Sequence, residues 1–255
     1  MVKANRSLAR GLTILRAFNQ AARPSLSEIV KIVGLPKPTC LRFLRTFQEE
    51  GYLHYDEDLK RYELKPLVLE LGYAALSSLS LPTVIQPEID RLAEQSGGSV
   101  TIATIEENEI VITGRAVAPP STRKFVSLNL HVGGRLPPHS SAIGRLLVGM
   151  SQPDVGVFWQ AIEREKLTPR TLIDTEQLTH ETLKAMKEGY CLIEDQLSLG
   201  YSAIGVPLQH TGKRHFAIAV SMPTLPDSDR HMKEVILPML KTTAEEISRA
   251  YKMNL

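Results

Sequence analysis

The chain has 255 residues, of which 43% are hydrophobic, and its formal net charge is +2. This length suits two domains of ordinary size. No apolar run comes near the roughly 20 residues that span a bilayer, and the first residues lack the apolar core of a signal peptide. We therefore expect a cytoplasmic protein without membrane attachment. Its two cysteines, Cys40 and Cys191, are too few for a disulfide framework or a zinc site, and no cofactor is indicated.

Positive charge is concentrated near the N-terminus. Residues 1–66 contain 12 Lys and Arg against seven Asp and Glu, whereas the remainder contains 18 against 21. This asymmetry is typical of a nucleic-acid-binding module joined to a near-neutral one, because contacts with phosphates supply most non-specific DNA affinity. The excess is modest for one DNA-binding unit, and dimerisation would double the phosphate contacts on a palindromic operator.

The first predicted element is a helix that ends at Arg23-Pro24. Its apolar side chains recur at helical spacing, and we expect them to form its buried stripe. They are Leu8, Leu12, Leu15 and Phe18. The side chains of Arg6 and Arg10 at its start can contact the DNA backbone, and solvated arginines are the alternative.

Two further helices follow, separated by a short turn. Ser25 and Glu28 fit a capping box at the start of the first, and Gly34 can adopt the left-handed conformation that ends it. Pro38 suits the first turn of the second helix, because its missing N–H has no partner there. The second helix carries an apolar stripe of Cys40, Phe43, Leu44 and Phe47.

The opposite face of this second helix is basic. Arg42 and Arg45 are three residues apart on it, where guanidinium groups can bind phosphates or guanine edges. Two helices joined by a short turn, the second one basic, predict a helix-turn-helix. The alternative is a solvated basic face on a surface helix.

Residues 51–55 and 60–64 alternate like strands on either side of an acidic turn at 56–58. A hairpin directly after the second helix indicates a winged helix-turn-helix. Lys60 and Arg61 would then lie near the wing tip, where they can contact the sugar-phosphate backbone.

Residues 67–81 predict a helix that is too apolar to stand alone. We interpret it as a linker helix that packs against a partner subunit. Its apolar seam consists of Leu67, Leu71, Ala74, Ala75 and Leu76. The predicted domains are therefore 1–66 (DNA-binding), 67–81 (linker helix) and 82–255.

The remainder of the chain interleaves strands and helices. Such a pattern indicates an α+β domain with a largely antiparallel sheet. Helices are predicted at 83–95, from the 133–145 segment to 148, at 155–165, 175–188 and 227–251, and strands at 99–105, 109–113, 125–130, 190–193, 203–207 and 215–221.

Four segments resemble the DNA-binding domain of the IclR family of bacterial transcription regulators, and the resemblance continues over nearly the whole chain. The segments are residues 7–15, Leu26-Ser27-Glu28-Ile29, Gly34-Leu35-Pro36-Lys37 and Gly51-Tyr52-Leu53. The resemblance implies a GAF-like C-terminal domain that binds a small-molecule effector, and a homodimer or homotetramer.

We expect the DNA contacts to come from Arg6, Arg10, Ser27, Lys37, Thr39, Arg42, Arg45, Lys60 and Arg61. Pro38 replaces a Ser that many family members carry, which removes a hydroxyl contact with phosphate. Leu41 stands where a polar residue is common. Arg42 and Arg45 are therefore the principal candidates.

Residues 133–139 match a Gly-x-Arg-Leu-Pro-x-His segment of the family, which the resemblance implies is one wall of the effector pocket. The small residues Ser140, Ser141 and Ala142 follow at a helix start. They would let a ligand reach free N–H groups, which favour an anion such as a carboxylate. Alternatively, they only let the helix lie close to the sheet and cap it.

The resemblance places ten residues at or near the effector: Arg135, His139, Ser140, Ser141, Ala142, Ile143, Tyr201, Ala203, Ala219 and Ser221. Some family members carry Asp or Cys at the positions of Ile193 and Ala203, so this pocket should be more apolar. Residues 123–130 and Arg135 resemble the branch that responds to aromatic acids. We therefore expect an aromatic or other hydrophobic carboxylate.

The enzymatic alternative is a hydrolase that uses Ser140 or Ser141 beside His139. When Ser and His are adjacent at the start of a helix, the hydroxyl rarely points at the neighbouring imidazole. The sequence also has no Gly-x-Ser-x-Gly elbow. The histidines lack the i, i+4 spacing of metal ligands. We therefore expect a regulator, not an enzyme, and no metal site. The sequence leaves open activation or repression, contact with RNA polymerase, and dimer or tetramer.

Overall fold

The computed structural model describes residues 4–78, 82–122, 130–209 and 214–253. The chain forms two compact units, Met1–Ser78 and Leu79–Leu255. Among the described helices, none is both long and apolar enough to cross a membrane.

The N-terminal unit is a winged helix-turn-helix, as predicted. Its hairpin is antiparallel, with Leu53 opposite Leu64. The elements are α1 (Arg6–Arg16), a 3-10 turn (Ala17–Asn19), α2 (Leu26–Val33), α3 (Lys37–Glu49), β1 (Leu53–Asp56), β2 (Arg61–Leu64) and α4 (Val68–Ser78).

Local signals determine the ends of α2. The Ser25 Oγ accepts a hydrogen bond from the Glu28 N–H at 3.3 Å, and the Glu28 carboxylate accepts one from the Ser25 N–H at 2.7 Å. Gly34 ends the helix with φ of 67°, a conformation that costs glycine little. The predicted capping box and glycine end are both confirmed.

The predicted buried stripe of α1 is wrong in part. Leu8 and Leu12 are 63% and 46% exposed, whereas Ile14 is fully buried. The buried face is rotated because Gly11 lies against α3, where an added Cβ would be 3.4 Å from the Phe47 ring. The helix also ends at Arg16, earlier than predicted, and continues as the 3-10 turn.

The C-terminal unit is an α+β domain around one six-stranded sheet. The strand order is β5-β4-β3-β8-β7-β6, and every pair is antiparallel. The fold class is therefore as predicted. The elements are α5 (Pro82–Ser96), β3 (Ser99–Glu106), β4 (Glu109–Val117), β5 (Arg135–Leu136), α6 (Ala142–Ser151), α7 (Val155–Ala161), α8 (Thr175–Glu188), β6 (Cys191–Glu194), β7 (Tyr201–Leu208), β8 (Phe216–Pro223), α9 (Ser228–His231), a π-helical turn (Met232–Ile236) and α10 (Leu237–Met253).

Several details of this unit differ from the prediction. The two-residue strand β5 was not predicted, since so short a strand has no alternation to detect. The helix expected at 155–165 ends at Ala161. The strand predicted at 125–130 lies outside the described residues except for Leu130, which is not in a strand.

Helices cover both faces of the sheet. Ile85 and Ile89 of α5 and Leu240 of α10 pack with Ile102 and Ile218 on one face. On the other face, α6 packs against a layer that includes Ile110, Ile112, Ala203 and Ala219. A β-bulge interrupts the pairing of β3 with β4: Ile102 is opposite Gly114 but Ala103 is opposite Ile112, so Thr113 is an extra residue.

Candidate DNA-binding and effector sites

The outer face of α3 carries Arg42 and Arg45, which are both exposed. The inner face buries Cys40 and Leu44 completely, and this burial fixes the rotation of the helix. Within the part of the chain that the structure describes, neither arginine forms an ion pair. Both guanidinium groups are therefore available to phosphates or base edges.

The two predicted wing residues have different surroundings. Lys60 is exposed in the turn, with φ of 55°. Arg61 instead donates to the Glu28 carboxylate at 3.1 Å and to the Arg23 carbonyl. Hydrogen bonds from Ser25 and the charge of Arg61 hold the pKa of Glu28 below its usual range. Arg61 thus ties the wing to α2, and its contact with DNA stays a prediction.

The other predicted DNA contacts lie on the surface of the N-terminal unit. Arg6, Arg10, Ser27 and Lys37 are exposed, and Thr39 is half-buried.

Four predicted effector residues lie on the same face of the sheet, the one that α6 covers. Ala203 of β7 is opposite Ser221 of β8. Ala219 and Tyr201 lie two residues further along their strands, on the same side, because strand side chains alternate. All four are at least nine-tenths buried.

Ala142 and Ile143 reach this face from the first turn of α6. They belong to the same buried apolar cluster as Ala203 and Ala219. The structure therefore brings six of the ten predicted effector residues together between α6 and the central strands.

Two hydrogen bonds order the polar part of this face. The Tyr201 hydroxyl donates to the Ser221 Oγ at 2.6 Å, and the Ser221 Oγ donates to the Ser99 carbonyl at 3.2 Å. The Ser99 Oγ is buried and lacks a partner among the described residues. The face thus combines alanine methyls with buried hydroxyls.

The small residues at the start of α6 have a structural function. The Ser141 Oγ accepts from the Gly144 N–H and donates to the Pro137 carbonyl, both at 3.1 Å. A Cβ on Gly144 would be 2.3 Å from the Pro138 carbonyl oxygen. At Ser141 and Gly144, the small side chain therefore caps the helix and lets the preceding loop pack closely.

His139 and Ser140 do not form a catalytic pair. The His139 Nε2 lies 2.9 Å from the Glu165 carbonyl oxygen, while His139 Nδ1 and Ser140 Oγ are both buried without a partner among the described residues. Burial lowers the pKa of His139, despite the opposing effect of the Glu165 carbonyl. The imidazole is thus a neutral buried group, and the hydrolase alternative has no support.

Arg135 lies apart from the other effector residues. It is exposed on the edge strand β5 and forms an ion pair with Glu109.

The sequence did not point to two arginines inside this unit, half-buried Arg115 and buried Arg145. Arg115 of β4 donates to the Thr101 Oγ1 at 2.5 Å and interacts with the Tyr201 hydroxyl. Arg145 of α6 is 2% exposed and donates to the His139 carbonyl and the Gln196 side chain. A charged residue inside a mostly apolar strand or helix was the available signal in both cases.

A cleft of about 560 Å³ lies elsewhere on this unit. Arg145, Arg170, Glu176, His180, Glu181 and Gln196 contribute to its lining, which contains none of the ten predicted effector residues. Burial raises the pKa of the nearby Cys191 thiol to about 11, so this cysteine is a neutral core residue.

A winged helix-turn-helix joined to a domain with an enclosed, partly polar layer defines a ligand-responsive transcription regulator. The IclR helix-turn-helix domain matches residues 7–57, and the bacterial transcriptional regulator IclR C-terminal domain matches residues 73–249. The chain therefore belongs to the IclR family and is a DNA-binding transcriptional regulator.

Two characterised relatives align over nearly the whole chain. The p-hydroxybenzoate hydroxylase transcriptional activator of Acinetobacter baylyi is 32% identical over 94% of this chain and 89% of its own length. The Pca regulon regulatory protein of Pseudomonas putida is 30% identical over 94% of this chain and 82% of its own length.

Solved structures share the fold. An IclR homolog from Microbacterium hydrocarbonoxydans, complexed with 4-hydroxybenzoate, has a TM-score of 0.81 at 23% identity and covers 97% of this chain and 99% of its own. A double mutant of the PobR inducer-binding domain from Acinetobacter, complexed with 3-hydroxybenzoic acid, has a TM-score of 0.59 at 25% identity. It covers 66% of this chain and 97% of its own.

Proposed function

We propose that the protein controls transcription from a palindromic operator in response to an aromatic carboxylic acid of the hydroxybenzoate class. The layer between α6 and the sheet carries this proposal: alanine methyls at Ala203 and Ala219 suit a ring, and the hydroxyls of Tyr201 and Ser221 suit its polar substituents. The double mutant of the PobR inducer-binding domain, which has been solved with 3-hydroxybenzoic acid, supports this ligand class.

The regulator acts as a homodimer or homotetramer in the cytoplasm, where the operator DNA is. Large apolar side chains on α1 and α4 support association, because they are exposed in the single chain and a partner subunit would cover them. They are Leu8, Leu12, Leu69, Leu71 and Tyr73. Doubling the unit also doubles the exposed arginines of α3 available to the operator.

Effector and operator are coupled through the linker helix α4. A ligand that favours one arrangement of the DNA-binding units changes operator affinity, and reciprocity requires operator DNA to change ligand affinity by the same factor. Such coupling is typically worth about 1–3 kcal/mol, or roughly five- to 150-fold in affinity. Contact with RNA polymerase would follow if the protein is an activator.

Calorimetric titration tests the proposal. The ligands are 4-hydroxybenzoate, 3-hydroxybenzoate, benzoate and two aliphatic acids of similar size, each titrated with and without DNA from upstream of the gene. We expect the aromatic acids to bind and their affinity to change when operator is present. Binding of aliphatic acids alone would contradict the aromatic class, and equal affinity with and without operator would contradict the coupling.

A further inference from the structure

Arg115 brings a positive charge to the face of the sheet that carries the proposed effector residues. The pairing of β4 with β3 places Arg115 opposite Thr101, and the pairing of β3 with β8 places Thr101 opposite Ala219. The guanidinium donates to the Thr101 Oγ1 at 2.5 Å and interacts with the Tyr201 hydroxyl. The side chain is therefore directed along this face toward β8 and β7.

The hydroxyl-bearing residues on this face of the sheet are nearly inaccessible to solvent. Thr101, Tyr201 and Ser221 are between 4% and 7% exposed, and Ser99 is fully buried. The Ser99 Oγ has no partner among the described residues. Most buried polar groups in proteins are hydrogen-bonded, so a ligand on this face could supply a partner for the Ser99 hydroxyl.

The chemistry of a guanidinium selects the ligand group. Its planar fork of N–H donors matches the two oxygens of a carboxylate. Burial lowers the pKa of Arg115, which reflects the cost of removing its charge from water. An anion beside it offsets this cost. A neutral ligand cannot do so.

Two other groups in this unit could interact with an anion, the Arg145 guanidinium and the amino end of α6. The Arg145 guanidinium donates to the His139 carbonyl and to Gln196. At the amino end of α6, the Ser141 side chain already accepts from the Gly144 N–H.

We propose that Arg115 binds the carboxylate of the effector, and that Thr101 and Tyr201 are positioning residues that orient its guanidinium. The ring then lies along Ala219 and Ala203, below the first turn of α6. This proposal rests on the proposed function, since it assigns the anion contact within the same site. It predicts selectivity for aromatic acids over their neutral amides.

The test compares 4-hydroxybenzoate with 4-hydroxybenzamide by calorimetry on full-length protein. The variants are Arg115→Gln, Arg115→Lys and the matched control Arg214→Gln, which removes an exposed arginine that pairs with Glu106. Circular dichroism checks the fold of each.

We expect the wild type and Arg214→Gln to prefer the acid over the amide by roughly tenfold or more, the usual loss when a hydrogen bond to a charged group is removed. Arg115→Gln should lose this preference and bind both compounds weakly. Arg115→Lys should keep the preference for the acid but bind it more weakly, because lysine retains the positive charge without the paired N–H donors of the guanidinium.

Arg115→Gln with the wild-type preference for the acid overturns the proposal. If this variant does not fold, Arg115→Lys decides, and wild-type affinity for the acid in Arg115→Lys overturns the proposal as well. Should the wild type bind only aliphatic acids, the aromatic function fails, and the same comparison with that acid and its amide tests Arg115. A wild type that binds no carboxylate overturns both proposals.

Discussion

The phenolic hydroxyl of Tyr201 donates to the Ser221 Oγ at 2.6 Å, which joins the first residue of β7 to the inner face of β8. Tyr201→Phe removes this bond and a hydroxyl next to the proposed effector. We expect 4-hydroxybenzoate to bind about tenfold more weakly, since a hydrogen bond contributes about 0.5–1.5 kcal/mol. Calorimetry checks this, with Tyr52→Phe in the N-terminal unit as control. Unchanged affinity would place the effector away from Tyr201.

Arg42→Ala and Arg45→Ala should each weaken operator binding about tenfold or more, because each removes an exposed cation from the outer face of α3. Where the lost contact is with a phosphate, the slope of log affinity against log salt falls by about one. Fluorescence anisotropy over a range of KCl concentrations measures both effects. Arg249→Ala, an exposed charge on α10, is the control of equal net charge. An equal loss in this control would show that only overall charge matters.

Gly144→Ala should destabilise the C-terminal unit. The new methyl would lie 2.3 Å from the Pro138 carbonyl oxygen, and overpacking typically costs about 1–3 kcal/mol. Gly72→Ala in α4 meets nothing within 4 Å and should stabilise the chain by about 0.5–1 kcal/mol, because glycine is unfavourable inside a helix. Urea unfolding of both variants measures this difference. A neutral Gly144→Ala would mean that the loop before α6 can move aside.

Burial lowers the pKa of His139 below its ordinary value of 6.5. Well above pH 6.5 this histidine is neutral in both the folded and unfolded chains. As the pH falls below 6.5, the unfolded chain binds a proton that the folded chain does not, so stability decreases. His139→Gln should therefore lose less stability between pH 7.5 and 5.5 than the wild type, as measured by urea midpoints. His180→Gln, at an exposed histidine, should retain the wild-type dependence. The same dependence in all three proteins would exclude His139 as its source.

The sequence predicted best the features that nearby residues determine. The capping box of Ser25 and Glu28 and the left-handed Gly34 need only a few neighbouring residues, and the structure contains both. Helical periodicity also identified the apolar residues of α1. It did not show that Leu8 and Leu12 are exposed, because periodicity identifies an apolar face but not what that face packs against.

The candidate effector site depends on contacts between distant segments. Tyr201 and Ser221 were expected near the effector through the family resemblance, while Arg115 was missed. Arg115 meets Thr101 only through strand pairing, and it lies beyond residue 113, where the predicted strand ended. The apolar alternation stops there, and only the pairing of β3 with β4 shows that the strand continues to Val117.

The bulge at Thr113 determines which residues of β4 face each side of the sheet. Before it, the even-numbered Ile110 and Ile112 face α6; beyond it, the even-numbered Gly114 and Ala116 face α5, and Arg115 takes the α6 side. Without the bulge, the alternation of side chains would direct the Arg115 guanidinium into the apolar layer around Ile85. Under the proposal that Arg115 binds the effector carboxylate, a register shift of one residue in this hairpin would remove the guanidinium from the site and abolish recognition of the acid, although no residue of the sequence had changed.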